Sequence, residues 1–157
     1  MMAGRTVVIG VGNEFRRDDG VGPAVIAQLR GQVPTSVELM VSDGNPVRLI
    51  EAWRNASLAI VVDAVRADPP QPGRRHRFEL DAVASVPAAG ARAASTHGLG
   101  LDEALGLARA LGRMPQRLVV HAIEAADLTQ GTGMTPRVAA AVEAAASAIR
   151  HDLTSAR

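Results

Sequence analysis

Two rhythms of apolar residues run along this chain. Arg5 to Val11, "RTVVIGV", is β-branched and almost wholly apolar, the pattern of a strand covered on both faces inside a sheet. Leu58 to Val65, "LAIVVDAV", repeats that pattern around a lone carboxylate, Asp63. Val37 to Val41, Arg117 to Ile123 and a weaker run from His76 to Leu80 complete the strands. Between them the spacing turns helical. Val21, Val25, Ile26 and Leu29 share one face before Gly31, and Val47 to Trp53 reads as a short helix after the turn "SDGNP". Leu101, Ala104, Leu105, Ala108 and Leu111 form the apolar face of a helix that stops at Gly112. Thr135 and Pro136 provide a cap and a first position for a last helix through His151, with Val138, Val142, Ala145 and Ile149 as its buried stripe.

Strands alternating with helices predict an α/β three-layer sandwich, a mostly parallel, twisted sheet of about five strands flanked by helices on both faces. Residues 1–157 fit a single domain, since a chain of this length buries enough surface in one core. Arg66 to Arg75, rich in Pro and Gly, predicts an irregular loop, and residues 81–94, with Pro87 and Gly90, a loop holding a helical turn.

Charge and composition narrow the chemistry. The pI of 9.0 arises at a net charge of only +1, because the chain has no Lys, Tyr or Cys to titrate above neutrality. It therefore argues for no nucleic-acid partner. Without Cys, any metal must be held by nitrogen and oxygen, and neither a disulfide nor a Cys nucleophile can form. No long apolar stretch or export signal is evident, so a cytoplasmic protein with no membrane partner is expected. Nothing in the pattern demands association, and a monomer is expected.

Ligands of open α/β sheets gather beyond the carboxyl ends of the strands. Asp18 and Asp19 follow the first strand in "GVGNEFRRDDGVG", Asp63 lies near the end of the third, and His97 begins a helix, near Ser95 to Gly98, facing the same rim. Two carboxylates and an imidazole suit a divalent cation of the nickel or zinc type. Each alone has a plainer use: Asp18 or Asp19 as a helix cap, Asp63 as an acceptor of backbone N–H groups. A dinucleotide fingerprint starting at Gly10 and Gly12, with Asp43 as its ribose acid, fails because Phe15 stands where the third Gly belongs. His121 reads as a core histidine, and Glu124, just past the last strand's apolar core, as a cleft residue.

The stretches "GVGNEFRRDDGVG", "IVVDAV", "STHGLGL" and "GMTPRVAAAV", in this order over nearly the whole chain, resemble the hydrogenase maturation proteases. These endopeptidases trim the C-terminus of the nickel-containing large subunit of nickel-iron hydrogenases. The resemblance implies a peptidase of aspartic or metal-dependent type whose catalytic and nickel-contacting trio is Asp19, Asp63 and His97. It implies a hydrogenase large-subunit precursor as partner, and nickel that arrives in that substrate rather than residing in the enzyme. Gly12, Asn13, Asp18, Asp43, Gly44 and Glu124 are the expected lining of the substrate cleft. The chain has "DGNPVRL" where some members carry a Gly-rich turn, which bears on substrate choice. Two other readings use the same residues: a non-cleaving protein that checks nickel loading, and a peptidase of this fold with another target.

Overall fold

The computed structural model describes residues 4–81 and 99–155. Five strands form one sheet: β1 (Arg5–Val11), β2 (Val37–Ser42), β3 (Ala56–Val65), β4 (Arg75–Asp81) and β5 (Arg117–Glu124). Their spatial order is β2-β1-β3-β5-β4. The first four in that order are mutually parallel, and β4 runs antiparallel along β5. The helices are α1 (Val21–Leu29), α2 (Pro46–Ala52), α3 (Leu99–Leu111) and α4 (Pro136–Ser155). This is the α/β sandwich the alternation predicts.

The side chains of β3 sort by parity, as a pleated strand requires. Leu58, Ile60, Val62 and Ala64 join the core made with α1 and α4. Ala59 and Val61 join the core made with α2 and α3. Asp63 continues the second series, at the carboxyl end of the strand and 3% exposed. Ala104 and Ala108 of α3 are fully buried, with Leu101 and Leu105 packed beside them. The predicted stripe stops there: Leu111 is 56% exposed, because the helix ends as the chain turns toward β5. On α4 the stripe is Val138, Ala141, Ala145, Ala146 and Ile149, with Val142 at its margin. The Ala-rich face lets that helix lie close to α1.

His121 is fully buried within β5. Its Nε2 lies 2.7 Å from Asp152 Oδ2 on α4. Arg77 of β4 donates to the same carboxylate from Nε at 3.1 Å and Nη2 at 2.9 Å. The sheet is thereby tied to the last helix. Burial holds the His121 pKa below its ordinary 6.5, opposed by the hydrogen bond and charge of Asp152 and reinforced by Arg77 and Arg75. The native imidazole thus resists a proton that the unfolded chain accepts. Stability from this group is complete above about pH 6.5 and is lost as pH falls further. We expect the unfolding free energy to drop between pH 7 and 5, with a slope of up to about 1.4 kcal/mol per pH unit from this site. His121→Leu is expected to flatten that slope in denaturant titrations, and an unchanged slope would remove the assignment.

Candidate functional site

The site is built where β1 hands over to α1. A single 3-10 turn, Arg17–Gly20, fills that connection and carries both acids. Arg17 holds a left-handed φ of +49°, a conformation that costs a non-Gly residue about 1–3 kcal/mol and needs external support. The support is visible. Arg17 N–H donates to Gly131 O at 3.0 Å, and Gly131 N–H to Phe15 O at 2.9 Å. The Arg17 guanidinium lies across Gly131, where a Cβ would sit 2.6 Å from it.

Adjacent residues on such a turn point about 120° apart, so Asp18 and Asp19 do different things. Asp18 is fully buried. Its Oδ2 accepts Ala126 N–H at 2.8 Å and Asp127 N–H at 2.9 Å. Its Oδ1 accepts Thr135 N–H at 2.7 Å, and the Thr135 hydroxyl donates to the same carboxylate. Thr135 does stand at the start of α4, since its carbonyl accepts Ala139 N–H, but its hydroxyl is directed to Asp18. The Asp18 carboxylate therefore faces the loop between β5 and α4 rather than the cleft.

Asp19 is 7% exposed. Its Oδ2 accepts Asn13 N–H at 2.9 Å, and the Asn13 side chain accepts Phe15 N–H at 2.8 Å. Gly12 makes this geometry possible: it has a φ of +145°, and a Cβ there would lie 1.9 Å from the Asp19 carbonyl oxygen. Asp63, at the end of β3, lies near enough to Asp19 to feel its charge. Its pKa is raised well above 3.8, first by burial and then by the Asp19 charge, against a lowering by the Ala64 backbone N–H. Two buried carboxylates of like sign at one rim are costly unless a cation or a proton relieves them.

The remaining predicted residues scatter around this pair. Asp43 is exposed, accepts Asn45 N–H at 3.0 Å and pairs with Arg48 at 2.8 Å. It sits beside Gly44, whose φ is +89°, on the turn that follows β2. That turn adjoins the site because Gly12 N–H donates to Ser42 O at 2.9 Å. Glu124 is 3% exposed, and accepts Gln71 N–H at 2.7 Å while its other oxygen lies 2.7 Å from His76 Nε2. These contacts hold its pKa below 4.5 against the opposing effect of burial, the largest single influence. Glu124 thus anchors the connection between β3 and β4. His76 escaped the sequence reading, because its partner lies 48 residues away.

His97 lies outside the described residues. Among those that are described, no group of three His, Asp or Glu gathers to hold a metal, so the observed unit is the Asp19 and Asp63 pair. The two carboxylates of that pair offer oxygen donors of the kind that bind divalent cations. α3 ends beside the amino ends of β3 and β5, where Gln116 N–H meets Ala56 O at 3.1 Å.

Comparison with known proteins places this geometry in context. A family model described as "Hydrogenase maturation protease" matches residues 23–152, a span that contains Asp63 and His97 and begins just after Asp19. The hydrogenase expression/formation protein HupD of Thiocapsa roseopersicina is 31% identical over 135 residues, covering 84% of this chain. The chain spans 60% of the length of that relative. The hydrogenase 2 maturation protease of Escherichia coli K12 is 28% identical over 143 residues, covering 90% of this chain and 85% of the relative. Among solved structures, the hydrogenase maturating endopeptidase HybD from E. coli superposes with a TM-score of 0.79 at 24% identity. It covers 97% of this chain and 93% of its own, which shows a common fold. No helix among the described residues is long and apolar enough to cross a membrane.

Proposed function

The chain belongs to the hydrogenase maturation proteases, and we propose from that membership that it removes a C-terminal extension from a nickel-loaded hydrogenase large-subunit precursor. The observation that carries the proposal is that two buried carboxylates, Asp19 and Asp63, are electrostatically coupled at the carboxyl rim of the sheet. Nickel enters as part of the substrate. Asp19 is aimed by the Asn13 N–H, Asp63 is fixed by β3, and His97 supplies the third donor from the segment that leads into α3. The charge that makes the pair unfavourable alone makes it favourable around a cation. A metal-bearing segment gripped in this way holds its neighbouring peptide bond in one position for hydrolysis, and such orientation contributes several powers of ten in rate. The proposed reaction takes place in the cytoplasm.

Incubation of the purified chain with nickel-loaded precursor is expected to lower the precursor's mass by that of its extension, with no change for nickel-free precursor. Binding without loss of mass would replace the protease by a checkpoint that reads nickel loading. Equal cleavage of both precursors would remove nickel from the recognition step.

A further inference from the structure

The face of the sheet that carries Asp63 also carries a histidine bonded to a buried carboxylate. Asp63, Ala122 and His76 lie in register across β3, β5 and β4. Side chains alternate along each strand, and Ala59 and Val61 of β3, Leu118 and Val120 of β5 and Leu80 of β4 share one core. Asp63, Ala122 and His76 continue those three series, so all project from the same face. Two strand spacings, about 10 Å, separate the backbones of Asp63 and His76, and Ala122 between them carries only a methyl group.

The His76 ring is held by two neighbours. Its Nε2 lies 2.7 Å from Glu124 Oε2, and the ring stacks on Phe78 with the planes 3° apart and the centroids 6.3 Å apart. Against the raising effect of burial, the Gln71 N–H and His76 keep the Glu124 pKa below 4.5, so at neutral pH this carboxylate can only accept. Nε2 therefore carries the proton, and in the neutral ring the lone pair is on Nδ1. That atom has no partner among the described residues and, unlike His121 Nδ1, is not shut away from solvent. Among the described residues two histidines are bonded to a carboxylate, His76 and His121. His121 is fully buried, whereas the His76 side chain is 21% exposed. A carboxylate that fixes the tautomer while the other nitrogen meets water is the arrangement in which an imidazole takes protons during catalysis.

We propose that His76 is the general base of the hydrolysis, with Glu124 as its positioning residue. The proposal rests on the protease reading above and names the group that activates water there. Nδ1 accepts a proton from a water molecule as the water oxygen bonds to the carbonyl carbon of the scissile peptide. The proton then passes to the leaving nitrogen as the C–N bond breaks, which returns the ring to its neutral form. A substrate segment anchored at Asp19 and Asp63 spans the distance to the ring with about three extended residues, at roughly 3.3–3.6 Å each.

The test compares wild type with three variants on nickel-loaded precursor. His76→Gln keeps a donor toward Glu124 but has no base, and is expected to lower kcat about a hundredfold or more, with KM within twofold of wild type. His76→Ala is expected to show the same loss and to regain tenfold or more in kcat with added imidazole, which a structural role would not produce. Glu124→Gln still accepts the Gln71 N–H but no longer holds the ring by charge, and is expected to lower kcat about tenfold or more at unchanged KM. Wild-type kcat in His76→Gln, a loss confined to KM, or a His76→Ala variant that imidazole does not restore overturns the proposal. Full kcat in Glu124→Gln removes Glu124 from it. Precursor left uncut by wild type removes the protease reading and the base with it, whereas equal cutting by wild type and His76→Gln removes the base alone.

Discussion

Replacing Asp63 with asparagine is expected to make the metal-free protein more stable and to cut precursor processing about a hundredfold or more. Asp63 is 3% exposed at the end of an otherwise apolar strand, and both its burial and the Asp19 charge disfavour its ionised form. Asparagine keeps the shape and removes the charge. A gain on the order of 1 kcal/mol would raise the Tm of a domain this size by roughly 2–4 °C. Loss of one anchor of the nickel-bearing segment misplaces the scissile bond, and a displacement of about 1 Å is enough for such a loss in rate.

The sign of the pH dependence separates this account from a packing effect. A carboxyl whose native pKa lies above its unfolded value binds more protons when folded, so its contribution is most favourable at acid pH and declines as pH rises. The difference in Tm between Asp63→Asn and wild type should be near zero around pH 3.8, grow as pH increases and level off above the raised native pKa. Thermal melts with chelator present, from pH 4 to 8, read it directly. A constant difference would mean that the amide packs better for reasons unrelated to charge. A lower Tm at neutral pH would show that Asp63 is a structural acceptor, and the site would lose one of its two acids.

The elements legible in the sequence are those whose cause is local. β1, β3 and β5 declare themselves as apolar runs because both faces are covered, and Asp63 stands out within one of them. β4 is faint because it is an edge strand, with Arg75, His76, Arg77 and Glu79 alternating around a single Phe78. Its place next to β5 comes from pairings such as Phe78 with Val120, 42 positions apart. The exposure of Leu111 shows the reverse failure: helical spacing continues past the point where the neighbour ends. The division of labour between Asp18 and Asp19 was likewise beyond local reading. Two adjacent acids look alike as text, and only the turn that carries them, tied to Gly131, sends one toward the loop before α4 and the other to the Asn13 N–H beyond β1. The partners of His121 also come from distant chain segments. Hydrophobic rhythm specifies which residues are buried, whereas polar pairing depends on topology.

Asp18→Ala is expected to be the most destabilising single change at the rim, at about 3–5 kcal/mol, the range seen when one member of a buried charged network is removed. One carboxylate terminates four donors, the N–H groups of Ala126, Asp127 and Thr135 and the Thr135 hydroxyl. Alanine leaves them without an acceptor in a space too closed for easy rehydration, and each unsatisfied buried donor costs roughly 1–3 kcal/mol. Asp18→Asn should recover only part of this loss, since its amide nitrogen would meet donors where the second carboxylate oxygen now accepts. The same bonds hold the 126–135 segment against the turn that bears Asp19. Processing by Asp18→Ala should therefore fall even at temperatures where the variant remains folded, through a displaced Asp19. Urea unfolding monitored at Trp53 measures the first effect, and cleavage assays well below the midpoint measure the second. If Asp18→Ala unfolds within 1 kcal/mol of wild type yet loses all activity, Asp18 acts on the substrate itself, and the separation of roles between the two neighbouring acids is wrong.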